Sequence, residues 1–337
     1  MAGYLKIFVS VYRKDAVLRR STLKNIFRLF RLLFHVYFSR KSDKLIIINL
    51  TEHIGDIVAC EPIAFHLRKL NPRSYIVWTV NGQYSQLVDH NPHINEVIKL
   101  SCLTEWILLK KLFHPFSKIY DLHLNGKRCS KHSITSRNSV NPEIDFNNYL
   151  DHGNLLHVAS MAAGIKDMPD YAPRFHFDKK RERSQIIPGR YIVFHSLSNE
   201  SDRNWDEKKW NDLYRNLLIE YPDIQIAEIG LKKVIDGEDE RYHDLTAKLD
   251  FQEIAYLIQA ATLFIGVESG FAHIANSFNK KSVVLIGYFQ PFKNYMVYSG
   301  HFAEEGNDCL LYHEGLLKDL ETSRVMEEVK LVLSHKE

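Results

Sequence analysis

Short apolar runs alternate with amphipathic stretches along the first half of the chain. Four of these runs predict buried β-strands, at residues 44–50 (KLIIINL), 75–80 (YIVWTV), 96–100 (EVIKL) and 118–122 (KIYDL). A helical spacing of apolar positions predicts helices at about 57–70 and 149–163. Apolar β-branched runs separated by helices are typical of a parallel sheet that is buried on both faces. Residues 123–147 are polar and lack a period, which predicts a long loop.

The same alternation resumes after residue 190. It predicts strands at 191–195, 224–229, 262–267 and 282–286, helices at 206–220, 251–261 and 270–278, and a charged helix at the end of the chain. Residues 165–190 contain prolines and a charged run (DKKRERS), which are typical of a linker. The predicted organisation is an α/β domain at 44–164, this linker, a second α/β domain at 191–320 and a terminal helix at 321–337. Two doubly wound domains predict a ligand cleft between them, at the carboxyl ends of the strands.

Residues 1–43 form a basic and aromatic segment that precedes the first predicted strand. Within 22–38, Lys24, Arg28, Arg31 and His35 fall on one helical stripe, and apolar residues cover the rest of the helix. Such a helix suits an anionic membrane surface, where acyl chains bury the aromatic rings and headgroups pair with the cations. The alternative is a helix that packs on the body of the protein or against a second copy of the chain. The oligomeric state is left open.

The formal net charge of +3 conceals an uneven distribution. Residues 1–44 contain eleven basic and two acidic side chains, which leaves 33 basic against 39 acidic side chains in the remainder. The main domains therefore lack the broad positive surface that neutralises phosphates, and this excludes nucleic acid as their partner.

Cysteine spacing and hydropathy favour a cytoplasmic protein. The four cysteines lie far apart and form no Cys-x-x-Cys pair, which argues against a disulfide framework and against a thiolate metal site. No stretch reaches the ~18 uncharged apolar residues of a transmembrane helix, and we recognise no signal peptide. We therefore expect no bound metal, and a peripheral location on the inner face of the cytoplasmic membrane through residues 22–38.

The first candidate motif is His53-Ile54-Gly55-Asp56, between the first strand and the first helix. A glycine at such a turn permits the backbone to approach a ligand closely. Asp56 either points into the cleft as a functional carboxylate or caps the helix by accepting hydrogen bonds from its first amides. Pro62, inside the helical pattern that follows, predicts a kink or a short first turn.

The second candidate motif follows the strand at 191–195. It contains Ser196 and Ser198, and Arg203 comes shortly afterwards. Small hydroxyl residues after a strand, followed by a cation, can hold a phosphate group. Arg203 is equally compatible with an ordinary surface position, while Trp205 and Trp210 on their own are more typical of core anchors.

The third candidate motif occupies the turn after the strand at 262–267. Glu268, Ser269 and Gly270 would present a carboxylate, a hydroxyl and helix amides to one ligand. His273 lies one helical turn beyond Ser269 and can reach the same space. Taken singly, each has a structural alternative: Glu268 and Ser269 as helix caps, and His273 as a half-buried histidine with hydrogen-bond partners.

Taken together and in this order, the three motifs resemble those of glycosyltransferase family 9, the heptosyltransferase-like enzymes. The resemblance covers about residues 45–290. It rests on Gly55-Asp56 followed by Pro62, on Arg203 placed two residues before Trp205 with Trp210 later in the helix, and on Glu268-Ser269-Gly270 followed by His273. The segment LDFQEIAYLIQAATLFIGVESG also resembles the family's approach to the last motif.

The resemblance implies a GT-B architecture, in which two Rossmann-like domains bind the acceptor on the N-terminal side and the nucleotide-sugar on the C-terminal side. It also implies metal-independent transfer with inversion at the anomeric carbon. Asp56 would be the general base. The donor, a nucleotide-diphosphate sugar, would be held by Ser196, Ser198, Arg203, Glu268, Ser269, Gly270 and His273, and no further cofactor is implied.

Three positions depart from the family pattern. Arg203 stands where the family usually has lysine, Glu268 where it usually has aspartate, and Val234 where it has a glutamate that would hold the ribose. The donor nucleotide and its sugar therefore stay open, with ADP-heptose as the family default.

The predicted function is transfer of a sugar to a bacterial cell-surface glycan, such as lipopolysaccharide core or another lipid-linked acceptor. Two alternatives remain at this point. One is another activity of the same architecture, such as a nucleotide-sugar epimerase. The other is a non-catalytic protein that binds nucleotide or glycan in a surface-polysaccharide assembly complex.

Overall fold

A computed structural model of the chain describes residues 10–38, 44–136, 140–181, 186–289, 296–304 and 309–334. The chain divides into two compact units, residues 1–170 and residues 171–337. The boundary falls inside the segment 165–190 that the sequence predicts as a linker. Residues 182–185 of that segment, and residues 1–9 and 39–43 of the predicted basic segment, lie outside the described residues.

The first unit is built on a four-stranded parallel sheet. Its strands lie in the order β3-β2-β1-β4 and are β1 (Leu45–Asn49), β2 (Tyr75–Asn81), β3 (Glu96–Leu100) and β4 (Lys118–Asp121). Ile47 of β1 pairs with Val77 on one side and with Ile119 on the other. Every residue of β1 is buried, as expected for a strand covered on both faces. All four strands coincide with predicted ones.

The helices that accompany this sheet include α1 (Ala16–Phe38), α2 (Ile54–Ala59), α3 (Pro62–Leu70), α4 (Leu103–Phe113) and α5 (Leu155–Ala162). The sequence predicted one helix at 57–70, but the structure has two. The break occurs because Pro62 has no backbone N–H to donate and is therefore favoured at the start of a helix, here α3. Residues 123–136 and 140–147 form no helix and no strand beyond isolated bridges, which confirms the predicted loop where the structure describes it.

The second unit contains a six-stranded parallel sheet in the order β10-β9-β8-β5-β6-β7. Its strands are β5 (Tyr191–His195), β6 (Gln225–Glu228), β7 (Tyr242–Asp244), β8 (Leu263–Val267), β9 (Ser282–Ile286) and β10 (Leu310–Tyr312). Its helices are α6 (Glu207–Glu220), α7 (Phe251–Ala260), α8 (Gly270–Ser277) and α9 (Thr322–Ser334). The predicted strands and helices are confirmed, whereas the three-residue edge strands β7 and β10 were not predicted.

Helix α1 belongs to the first unit and packs on it through one face. Leu18, Leu29 and Leu32 are buried in the same apolar cluster as Trp106 of α4. Asn25 of α1 donates a hydrogen bond from Nδ2 to Oε1 of Glu105 at 2.7 Å. Burial of one leucine side chain is worth about 1.5–3 kcal/mol, so these contacts fix α1 firmly. Over residues 16–38 the predicted N-terminal segment is therefore part of the first unit, as the packing alternative expected.

The opposite face of α1 is exposed and aromatic. Phe27, Phe30, Phe34 and Phe38 are between 64% and 74% exposed. Two cations of the predicted basic stripe, Arg28 and Arg31, form ion pairs with Glu96 of β3. Among the helices that the structure describes, none combines the length and apolar character needed to cross a membrane.

Candidate active site

The first group of candidate residues lies in the loop that joins β1 to α2. Asp56 stands in the first turn of α2, where its Oδ2 accepts a hydrogen bond from the backbone N–H of His53 at 3.0 Å. Nδ1 of His53 lies 3.6 Å from the same oxygen. Asp56 thus binds the backbone at the start of its helix, and its side chain is nevertheless 37% exposed. A capping role and a role toward a ligand are compatible.

Asp56 is a carboxylate at neutral pH. Desolvation raises the pKa of this carboxyl group, but the hydrogen bonds from His53 and the charges of Lys127 and His53 outweigh that effect and lower the pKa to about 2. An ionised and partly exposed carboxylate can accept a proton from a hydroxyl group placed against it.

A buried polar network, which sequence analysis missed, supports the end of β1. Oδ1 of Asp121 accepts a hydrogen bond from Nδ2 of Asn49 at 2.9 Å, and its Oδ2 accepts one from Nζ of Lys110 at 2.7 Å. Nδ1 of His123 lies 3.0 Å from Asp121, and its Nε2 lies 2.9 Å from the hydroxyl of Thr51. Despite desolvation, the His123 hydrogen bond and the nearby positive charges hold the pKa of Asp121 well below its ordinary value. The network fixes the strand end from which the Asp56 loop departs.

The second group lies at the carboxyl ends of β5 and β8, which are neighbours in the second sheet. Arg203 forms an ion pair with Glu268, the residue that follows β8. The Glu268 side chain is buried, at 6% exposure, whereas that of Arg203 is 23% exposed. The guanidinium of Arg203 also lies over the ring of Phe289, 5.0 Å from its centroid. Arg203 is therefore a positioned cation of the site.

His273 joins this pair from helix α8. Its Nε2 lies 3.9 Å from Oε1 of Glu268, and its ring contacts that of Tyr298 with centroids 4.6 Å apart. The structure thus brings three predicted residues, Arg203, Glu268 and His273, into one group. A guanidinium presents five N–H donors in a planar fork, the geometry with which arginine binds carboxylates and phosphates.

Ser269 and Gly270 form the start of α8. The side chain of Ser269 makes no capping hydrogen bond, and its Oγ lies instead 3.0 Å from Nδ1 of His195. Burial lowers the pKa of His195 to about 3, so its imidazole is neutral at neutral pH. The first amides of a helix have no partner within the helix and attract anions. Sequence analysis missed His195 because it closes an apolar strand and carries no motif.

Ser196 and Ser198, the remaining predicted phosphate ligands, have partners within the protein. Ser196 is buried and donates a hydrogen bond from Oγ to Oε1 of Glu228 at 3.1 Å. Ser198 donates from Oγ to the backbone carbonyl of Glu200 at 2.8 Å. Glu228 also accepts a hydrogen bond from the backbone N–H of Val234 at 2.9 Å. Ser196 therefore supports the loop after β6, and its role toward a ligand stays a prediction.

The three departures from the family pattern have different structural settings. Arg203 and Glu268 contact each other, so two of the departures are two halves of one ion pair. Val234 is buried, whereas the nearby acids Asp236 and Glu238 are exposed. The position of the usual ribose-binding acid is thus occupied by a core residue.

The first unit also contains a cluster of sulfur and nitrogen atoms that the spacing of the cysteines along the sequence did not predict. Cys102, Cys129 and His132 place one Sγ or ring nitrogen each within 4.8 Å of one another. The argument that the cysteines lie too far apart to share a site fails here, because folding brings Cys102 to the loop after β4. The overlooked signal was the spacing Cys129-x-x-His132.

Comparison with known proteins identifies relatives of the chain. Residues 155–294 match the model of glycosyltransferase family 9 (heptosyltransferase). Lipopolysaccharide heptosyltransferase 1 of Salmonella typhimurium is 25% identical over 128 residues, which are 36% of this chain and 39% of that protein. The protein of the same name from Campylobacter coli is 20% identical over 295 residues, 74% of this chain and 86% of that protein. The chain thus aligns with less than half of the first relative and with most of the second.

Solved structures share the fold. A glycosyl transferase family 9 from Veillonella parvula DSM 2008 has a TM-score of 0.63 and 15% identity, covering 87% of this chain and 98% of that one. The ADP-heptose lps heptosyltransferase II of E. coli has a TM-score of 0.61 and 17% identity, covering 86% and 98%. These structures confirm the predicted GT-B class. Together with the family match over residues 155–294 they also confirm the predicted resemblance to that family.

Proposed function

We propose that this chain, a glycosyltransferase of the family 9 type, transfers a heptose from a nucleotide-diphosphate donor to a hydroxyl of lipopolysaccharide core or a similar bacterial glycan. The transfer inverts the anomeric carbon and uses no catalytic metal. The observation that carries the proposal is the group formed by Arg203, Glu268 and His273 at the start of α8. A fixed cation beside helix amides is what a departing diphosphate requires.

In the proposed reaction Asp56 accepts the proton of the acceptor hydroxyl. The acceptor oxygen forms a bond to the anomeric carbon while the bond from that carbon to the phosphate oxygen breaks on the opposite face. Asp56 suits this role because it is ionised and partly exposed, and because His53 holds its carboxylate in place. General-base assistance of this kind typically contributes about 10²- to 10⁴-fold to the rate.

The negative charge that develops on the leaving diphosphate is then stabilised in the second unit. Arg203 supplies a permanent cation, and the amides at Ser269 and Gly270 supply oriented donors. The neutral His195 holds the Ser269 hydroxyl and so fixes the start of α8. A preorganised set of donors can serve the leaving group where other transferases use a metal ion.

ADP-heptose is the proposed donor. Structures that share the fold include the E. coli heptosyltransferase WaaC with ADP and the same enzyme with ADP-2-deoxy-2-fluoro heptose. The buried Val234 stands where the family pattern has an acid that would hold the ribose, so this position supplies no carboxylate to the nucleotide. The nucleotide is therefore the first thing to test.

We expect ADP-heptose to stabilise the purified chain more than GDP-, UDP- or dTDP-linked sugars. A ligand present at 100 times its Kd adds about 2.7 kcal/mol to the free energy of unfolding. The measurement is a thermal-shift series with each donor at the same concentrations, followed by mass spectrometry of product with a lipopolysaccharide-core acceptor. Stronger stabilisation by another nucleotide sugar would replace ADP in the proposal while leaving the transferase activity standing.

The same assay separates the two alternative functions. Epimerised or hydrolysed sugar formed at full rate without an acceptor would favour the epimerase. Nucleotide binding with no turnover of any donor, with or without acceptor, would favour the non-catalytic binding protein.

We further propose that α1 places the enzyme at the cytoplasmic face of an anionic membrane, where a lipid-linked acceptor lies. The exposed face of α1 carries Phe27, Phe30 and Phe34, while its buried face is already occupied by the first unit. Exposed cations close to this face are Arg20 and Lys24. Aromatic rings edged by cations fit the boundary between headgroups and acyl chains.

We expect the substitution of Phe27, Phe30 and Phe34 by serine to release the protein from vesicles that contain anionic lipid. These side chains lie on the exposed face, so the core contacts of α1 remain, whereas deletion of residues 1–43 would remove them. The measurement is co-sedimentation with vesicles at low and high salt, because electrostatic attachment weakens with ionic strength.

The control for this experiment is Ile219→Ser, which removes an exposed apolar side chain from α6 in the second unit. It should leave vesicle binding unchanged. Undiminished binding of the triple variant would show that α1 serves the fold alone.

A further inference from the structure

We propose that Cys102, Cys129 and His132 bind a zinc ion that ties together three segments of the first unit. The site contains none of the residues placed in the transfer reaction and does not depend on the proposed function. Both thiol groups are buried, and both cysteines are free of disulfide bonds. Their Sγ atoms and a ring nitrogen of His132 lie within 4.8 Å of one another.

The distances suit tetrahedral coordination. Sγ of Cys102 lies 3.5 Å from Nδ1 of His132. Zinc–sulfur bonds of about 2.3 Å and zinc–nitrogen bonds of about 2.0–2.1 Å, at a tetrahedral angle, place these two ligand atoms about 3.6 Å apart. The separation in the structure is therefore the one that a shared zinc ion would require.

A closed turn presents two of the three ligands. The backbone N–H of Cys129 donates to the carbonyl of Ile134 at 2.8 Å, and that of Ser133 donates to the carbonyl of Cys129 at 2.9 Å. Arg128 and Thr135 form an antiparallel bridge across the base of the turn. Cys129 and His132 are thus held in a Cys-x-x-His arrangement, a spacing that lets two neighbouring residues bind one metal ion.

The third ligand comes from the start of a helix. Cys102 follows β3 and is the N-cap residue of α4, so the start of this helix fixes the position of its side chain. The thiolate is the form that binds metals. The folded chain therefore places a third sulfur or nitrogen ligand beside those of the turn.

Asp15 orients His132 by contacting the ring nitrogen that does not face the cysteines. Its Oδ2 lies 2.9 Å from Nε2 of His132, which leaves Nδ1 directed toward the cysteines. Metal-binding histidines commonly donate their second ring N–H to a carboxylate in this way. Oδ1 of Asp15 also accepts a hydrogen bond from the backbone N–H of Leu18 at 2.9 Å, in the first turn of α1. The ion would thus link α1, the start of α4 and the turn after β4.

The donor set selects zinc over the common hard cations. Two thiolates and one imidazole are ligands for zinc and other soft or borderline metals, whereas magnesium and calcium take oxygen ligands. Three protein ligands leave the fourth position to a water molecule.

The turn that carries Cys129 and His132 also borders the loop that carries Asp56, because the hydroxyl of Ser130 lies 3.4 Å from Oε1 of Glu52.

The test is the metal content of the full chain, expressed with added zinc chloride and purified under reducing conditions. We expect about one zinc per chain by elemental mass spectrometry, and at least tenfold less in Cys129→Ser and His132→Ala. Asp15→Asn keeps an oxygen for the α1 cap and should weaken zinc affinity by about 10- to 100-fold in a competition with a chelating dye. Cys309→Ser, which removes a thiol outside the cluster, should retain the full zinc content.

A second measurement does not depend on how the variants fold. Cobalt(II) added to the metal-free wild-type chain should produce the absorption of thiolate-bound tetrahedral cobalt, and excess zinc should remove it. Equal zinc content in wild type, Cys129→Ser and His132→Ala would overturn the proposal as adventitious binding. So would a Cys102–Cys129 disulfide that persists under reduction, or a wild-type chain that takes up neither zinc nor cobalt.

Discussion

Replacement of Asp56 by asparagine is expected to lower the rate of sugar transfer by about 10²- to 10⁴-fold, with nucleotide affinity almost unchanged. Asparagine has the shape of aspartate, and its amide oxygen can still accept the hydrogen bond from the backbone of His53. It cannot take up the proton of the acceptor hydroxyl. The fold of the loop and the binding of donor should therefore persist while the chemical step slows.

Three measurements on the same preparation decide this prediction. They are the transfer rate at saturating donor and acceptor, the Kd for nucleotide, and the midpoint of thermal unfolding. Asp151→Asn, which changes an exposed aspartate of the same unit, is the matched control and should retain the wild-type rate. A wild-type rate in Asp56→Asn would remove Asp56 as the base and move the search to another group in the first unit.

The central strands could be predicted because their burial produces contiguous apolar runs. β1, β5, β8 and β9 are buried at every residue, and each coincides with a predicted strand. The edge strands β7 and β10 are three residues long and only partly buried. So short a strand carries too few positions for a period to appear, and its pairing depends on the neighbouring strand.

Helix α1 shows a different limit of sequence pattern. An apolar surface around most of a helix indicates that much of the helix is covered. It does not indicate whether the rest of the protein or a membrane covers it. Leu29 and Leu32 pack on the first unit, whereas Phe27 and Phe30 are exposed. Since these residues are all apolar, only the structure distinguishes the face that supports the fold from the face proposed for the membrane.

The candidate site could likewise be predicted only in part from the sequence. The motifs identified the types of residue needed for transfer, because a carboxylate, a cation and a helix start each have a local signature. They did not identify the partners, since Ser269 meets His195 74 positions away and Asn49 meets Asp121 72 positions away. Such contacts follow from the order of strands in each sheet, which a single sequence does not supply.

The second large effect that we expect is a loss of transfer rate when the Arg203–Glu268 ion pair is broken. Arg203→Met is expected to lower the transfer rate by about 10²- to 10³-fold, the usual cost of removing one donor from a preorganised anion site. The same change leaves the buried Glu268 without its cation, which destabilises the second unit by up to about 3 kcal/mol. A loss of rate in this variant alone would therefore not distinguish a role in transfer from a role in folding.

The double variant Arg203→Met/Glu268→Gln separates the two roles. It removes the cation and the buried negative charge together, so the midpoint of unfolding should return most of the way to the wild-type value. Transfer should stay as slow as in Arg203→Met, and the Kd for nucleotide diphosphate should stay raised, because no cation remains beside the leaving group. Recovery of transfer along with stability would mean that Arg203 serves only to neutralise Glu268, and that the amides at the start of α8 carry the diphosphate without it.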